Sequence, residues 1–176
     1  ILDQYLMQGG RILWVVNGVR FSSETLSQSG MTPVIPLELN INDMLFRYGV
    51  RVNPVLVQDL QCLPLPVDVS TDPQQPNWQP MPWTYAPLLL TSQASPITRH
   101  LMQVSATMAS AIELVGGEDG LKKTTLLATS SNSKLTTTPA KVDLSLFNGA
   151  EQDFQYAFIP VAASIEGVFT SLFAHL

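Results

Sequence analysis

The first eighteen residues constrain the fold more tightly than any other stretch of the chain. Leu2, Tyr5 and Leu6 recur at helical spacing, and Gly9 with Gly10 supplies the left-handed stop that ends many helices, so a helix is predicted over residues 2 to 8. Arg11-Ile12-Leu13-Trp14-Val15-Val16-Asn17 follows, a β-branched and aromatic run closing on Gly18. Such a run suits a strand buried on both faces. A helix feeding a strand of that kind is an αβ unit, and those strands lie in sheets covered by helices. The expected fold class is therefore α/β, a Rossmann-like or flavodoxin-like layered sheet.

Residues 20 to 36 read as an irregular, Ser-rich connection. Asn40, Asn42 and Asp43 offer capping side chains ahead of Met44, Leu45, Phe46 and Tyr48, with Gly49 closing, so a second short helix is predicted over 42 to 48. Val50 to Val52 leaves extended toward Pro54. Val55 to Leu63 reads as a strand, which Pro64 and Pro66 should end. Residues 70 to 82, rich in proline, read as a loop. Trp83 to Leu90 resumes extended, Ser95-Pro96 starts a short turn toward Leu101, and Val104 to Val115 fits a long strand or an apolar helix, with strand favoured. Turn residues fill 116 to 120. Lys123 to Thr129, Val142 to Leu146 and Tyr156 to Val168 read as strands, the last broken near Pro160, and Ser130 to Pro139 as a polar loop. The second half is thus expected to be β-rich, and 176 residues suit a single soluble domain. The absence of an initiator Met and the opening inside an element suggest a fragment excised from a larger protein.

Asp, Glu, Lys and Arg make up only 13% of the chain, against about 25% in ordinary domains. Polar coverage then falls to Ser, Thr, Gln and Asn, which suits a charge-depleted assembly contact, or simply a neutral surface. A net charge of −5 with nine scattered Lys and Arg argues against nucleic acid. The longest apolar stretches, such as Ala157 to Ile165, fall far short of the roughly 20 residues that cross a bilayer.

The search for chemistry returns little. Ser131-Asn132-Ser133-Lys134 fits the S-x-x-K pattern, but the S-D-N and K-T-G companions are missing and a Ser/Thr-rich loop is the simpler reading. Cys62 lacks a glycine-flanked elbow, and a buried, inert thiol fits it better than a nucleophile. His100 and His175 belong to no metal-spaced cluster, and Glu118-Asp119 lacks the ligand pattern of a calcium loop. The glycine pairs form no phosphate-binding fingerprint. Glu113 and Glu166 sit in apolar segments, where solvent-facing positions on edge strands compete with a buried catalytic acid. No catalytic, cofactor or metal residue is expected.

Four blocks carry a resemblance: Asp3-Gln4-Tyr5 through Gly9-Gly10 to Leu13-Trp14; Asp43-Met44-Leu45-Phe46 with Tyr48-Gly49, Arg51 and Asn53; Leu56-Val57-Gln58-Asp59-Leu60-Gln61-Cys62; and Glu166-Gly167 with Phe169, Ser171 and Phe173. They resemble the GldG-like auxiliary proteins of gliding-motility-associated ABC transporters. The resemblance implies an extracytoplasmic (periplasmic) domain held at the cytoplasmic membrane by helices outside this stretch, with an ABC permease and ATPase as partners. It also implies a fold similar to class I glutamine-amidotransferase domains without their Cys-His-Glu triad. Arg47, Tyr48, Arg51 and Asn53 form the candidate family-specific surface. Trp78, Trp83 and Tyr85 could instead stack on a carbohydrate or peptide ligand. A diverged hydrolase using Cys62, Ser131 or Ser133 is the remaining class of reading.

Overall fold

The structure, a computed structural model, describes residues 1–71, 74–116, 120–144 and 151–174. In chain order the elements are α1 (Leu2–Met7), β1 (Val19–Arg20), α2 (Ser23–Ser29), β2 (Met31–Pro36), α3 (Asn42–Arg47), β3 (Val50–Asp59), β4 (Cys62–Asp68), β5 (Trp78–Thr91), β6 (Gln103–Ser105), β7 (Ser110–Leu114), β8 (Lys122–Ala128), β9 (Ser133–Thr137), β10 (Ala140–Asp143), a 3-10 turn (Glu151–Asp153) and β11 (Pro160–Glu166). Among the described residues, every pairing of named strands is antiparallel. Three sheets result, ordered β1-β2-β10, β7-β3-β9 and β11-β8-β5-β4, with β6 added to β5.

This corrects the expected α/β layering. A parallel sheet needs crossovers of a dozen or more residues, usually helical, and the three α-helices here hold six, seven and six residues. Helices of that length are too short to cover a sheet face. The expected helices at the chain start and near residue 42 do form, but the run from Arg11 to Asn17 joins no strand among the described residues, and Leu13 and Val15 are each 88% exposed. No helix is long and apolar enough to cross a membrane among the described residues.

The strand buried on both faces is the second half of β3. Leu56 and Val57 point to opposite sides and are both fully buried. Leu56 joins Val19, Val34, Trp83, Ala86, Met108 and Val142 in one cluster, and Val57 joins Ala111 and Ile159 in the other. Pro54 is tolerated inside β3 because it falls in the irregular stretch between Val52 and Leu56, where the ladder to β7 slips.

Further expectations fail for local reasons. The Ser-rich stretch 20–36 is not irregular: Ser22 accepts the amide of Thr25 at 3.1 Å, Gly30 adopts φ of 69°, and the capped helix α2 feeds β2. Pro64 and Pro66 do not end pairing. They lie opposite Pro82 and Pro80, and because Val69 donates to Asn77 in the same register, the proline pairs occupy the alternate sites that need no cross-strand donor. The predicted loop at 70–82 therefore gives way to β5 from Trp78 onward. Ser130 to Pro139, expected as a polar loop, contains β9, whose Ser133 is fully buried and hydrogen-bonded. Val104 to Val115 is two strands, β6 and β7, separated by a turn at Met108. The Gly117-Glu118-Asp119 turn, the end of the strand predicted to Leu146, and His175 lie outside the described residues.

Candidate functional site

Two buried carboxylates, Asp3 and Asp59, organise the polar interior, and neither was singled out from sequence. Asp59 ends β3 with no exposed surface. It accepts the Ser130 amide at 2.7 Å, the Ser130 hydroxyl at 2.6 Å and the Gln61 amide at 2.8 Å. These bonds fix the β3–β4 turn against the end of β8. Next to it, Thr129 and Ser133 share a 2.9 Å hydroxyl contact, Ser133 donates to the Tyr156 carbonyl at 2.8 Å, and Thr129 accepts the Ile159 amide at 2.8 Å. Gln58 bridges sheets, accepting from Thr84 of β5 at 2.7 Å and donating to Thr136 of β9 at 2.5 Å.

Asp3 on α1 is the second carboxylate. It accepts the Tyr48 hydroxyl and the Ser171 hydroxyl, both at 2.6 Å, and the Leu172 amide at 2.9 Å. Those bonds, led by Ser171 and followed by Tyr48 and Leu172, lower its pKa to about 2. One side chain thus ties α1, the end of α3 and the segment after β11. The Tyr48 ring packs edge-on against Phe169 at 5.2 Å, so three of the four sequence blocks meet here. The signal was present as Asp3, Tyr48 and Ser171 in separate blocks, but no spacing rule connects residues so far apart.

The singled-out residues are dispersed. Cys62 starts β4, and burial pushes its thiol up, away from the thiolate a nucleophile requires. Ser131 is exposed, Ser133 is fully buried, and Lys134 pairs with Asp153 at 3.3 Å, so the S-x-x-K residues form no unit. Glu113 and Glu166 are both exposed, and Glu113 pairs with Arg51 at 3.4 Å. His100 stands next to Arg99, whose Nε donates to its Nε2 at 3.1 Å. No group of three His, Cys, Asp or Glu that could hold a metal occurs among the described residues.

Of the surface expected from Arg47 to Asn53, Tyr48 is buried, Arg47 is partly buried, and the Asn53 carbonyl faces Gly18, where a Cβ would come within 2.6 Å of it. Arg51 is exposed and stacks over Phe46 at 5.3 Å. Of the three aromatic residues in the 70 to 90 region, Trp83 is buried and donates Nε1 to the Asp143 carbonyl at 3.2 Å, with Tyr85 half-buried 6.0 Å from its ring. Burial raises the Tyr85 phenol. Trp78 alone of the three is open, 63% exposed.

Trp78 stands on the arm made by β4 and the first part of β5. Asp68, opposite it, holds the turn by accepting the amides of Ser70 at 3.0 Å and Asn77 at 2.9 Å, and its carboxyl lies below the usual range, chiefly through the Ser70 bonds. Leu63 and Val69 are exposed on the same arm. With Pro64, Pro66, Pro80 and Pro82 at the positions whose amides would point outward, neither rim of the arm can donate a continuous ladder to a further strand.

The fold and its polar interior define an antiparallel β-module whose buried carboxylates hold backbone in place, with apolar side chains carried outward on a hairpin. A family model described as an ABC-type uncharacterized transport system matches residues 1–176, and the chain belongs to this family of ABC-transport auxiliary proteins, in keeping with the GldG-like resemblance. Neither the curated proteins nor the solved structures hold a match to it.

Proposed function

We propose that this auxiliary component acts by contact, docking on a permease subunit of its ABC-type transport system, and not by turning over a substrate. The observation that carries the reading is the division between interior and arm. Asp59, Gln58, Thr129 and Ser133 spend their polar atoms on hydrogen bonds inside the protein, while Leu63, Val69 and Trp78 stand exposed on a hairpin whose rims prolines close to strand pairing. A partner must therefore meet the arm through side chains. Exposed Trp is the residue type that most often anchors such contacts, and a charge-poor surface favours docking. In this reading the module sits on the extracytoplasmic side of the cytoplasmic membrane, and the ATPase is reached only through the permease.

A photo-crosslinking residue in place of Trp78, in the full-length protein in its own membrane, is expected to capture a permease subunit. Crosslinks from positions 63, 69 and 78 that reach no transport subunit would overturn the reading. The carbohydrate or peptide alternative rests on the same open Trp78 ring, and it predicts a soluble ligand quenching Trp78 fluorescence in the absence of any other subunit.

A further inference from the structure

The run from Arg11 to Asn17 has the composition of a core strand and, among the described residues, no strand paired beside it. It is anchored at both ends: the Gly10 amide donates to the Tyr5 carbonyl at 2.9 Å, and the Asn17 side chain donates to the Met108 carbonyl at 3.0 Å and accepts from Ser110 at 2.5 Å. Between those anchors, no backbone hydrogen bond is made among the described residues. Exposure alternates along it. Ile12 and Trp14 are half-buried, whereas Leu13 and Val15 are each 88% exposed. Unpaired amides and carbonyls with period-two apolar side chains are what an added β-strand recognises.

The sequence itself says which strand fits. Laid antiparallel against a second copy and centred on Trp14, Leu13 falls opposite Val15, Ile12 opposite Val16 and Arg11 opposite Asn17. Residues directly opposite in an antiparallel pair share a face, so the exposed Leu13 and Val15 side chains of the two copies close on one another. The only charge, Arg11, meets a neutral amide, and no like charges oppose. Such self-complementarity is what a two-fold interface requires. The arm's proline-blocked rims stand in contrast, since nothing in Arg11 to Asn17 prevents pairing. We infer that this chain dimerises by antiparallel pairing of residues 11 to 17 with the same residues of a second copy. The inference is independent of what the arm binds.

Sedimentation velocity of the 176-residue chain over a range of loading concentrations tests it. The expected result is a mass rising with concentration from 19.3 kDa toward twice that value. Leu13→Lys with Val15→Lys sets lysines against lysines and should abolish association while leaving the far-UV circular dichroism unchanged, because both positions are exposed. Leu13→Lys with Val15→Glu sets each lysine against the partner's glutamate and should restore association, now weakened by salt. A wild-type chain that stays at 19.3 kDa throughout, or two double variants that associate equally, would overturn the inference; the first outcome would leave the strand to a partner other than a second copy.

Discussion

The interior around β3 and the arm of β4 and β5 use similar residues to opposite ends. Both contain proline within strands, both contain apolar side chains at alternate positions, and both hold an aspartate that accepts backbone amides. In β3 the proline sits at a ladder irregularity, and Asp59 and its neighbours are buried and bonded. On the arm the prolines face outward along both rims, and Leu63, Val69 and Trp78 remain exposed while Leu65 packs on the core. The difference teaches that polar groups here build rigidity inside, while the surface available for contact is apolar and shielded from aggregation by proline. Mutations should separate the two regions cleanly.

Asp59→Ala should have the largest effect, because it strands two buried donors of Ser130 and the part-buried Gln61 amide; a loss of about 3 kcal/mol or more is expected in urea denaturation. A loss under about 1 kcal/mol would break the contrast. Leu56→Ala, in the apolar half of the same strand, should lose about 2–5 kcal/mol. The arm predicts the reverse: Trp78→Ala should change stability by less than about 0.5 kcal/mol, yet weaken partner capture.

Asp3 sharpens the comparison through pH. Its carboxyl has a folded-state pKa of about 2 against 3.8 when free, so the tie it makes is fully present above the free value and is lost as pH falls through about 2. The Leu172 amide resonance should therefore titrate with a midpoint near 2, and Asp3→Asn should erase that titration. A midpoint near the ordinary carboxylate value would place Asp3 outside the network described. Least affected of all, Arg51→Ala removes an exposed pair with Glu113 and should cost no more than about 0.5 kcal/mol.

Sequence alone revealed the helices α1 and α3, the strand character of residues 55 to 59 and the β-rich second half, because caps, glycine stops and apolar alternation are local signals. The sheet type was hidden. Arg11 to Asn17 reads as a covered strand from its side chains, but whether a strand is covered depends on residues elsewhere, and among the described residues no strand pairs with it. β9 was missed because Ser133 and Thr136 fill the interior with hydroxyls that find partners on other strands. The Ser22 cap and Gly30 stop of α2 were readable and were masked by the surrounding serines. For the site, Trp83 and Tyr48 are aromatic residues whose polar atoms bond inside the protein, which no spacing shows. Asp3, Asp59 and Ser130 meet their partners only across the fold. Family membership, by contrast, was legible from the blocks themselves, since residue identity survives where geometry cannot be read.

The most direct test is affinity isolation of the protein from detergent-solubilised cells that produce it, with wild type beside Trp78→Arg. A contact module should bring a permease subunit with it in the wild type and lose most of that subunit in the variant, with unchanged amounts of folded bait. A wild-type bait that isolates free of every transport subunit would contradict the account.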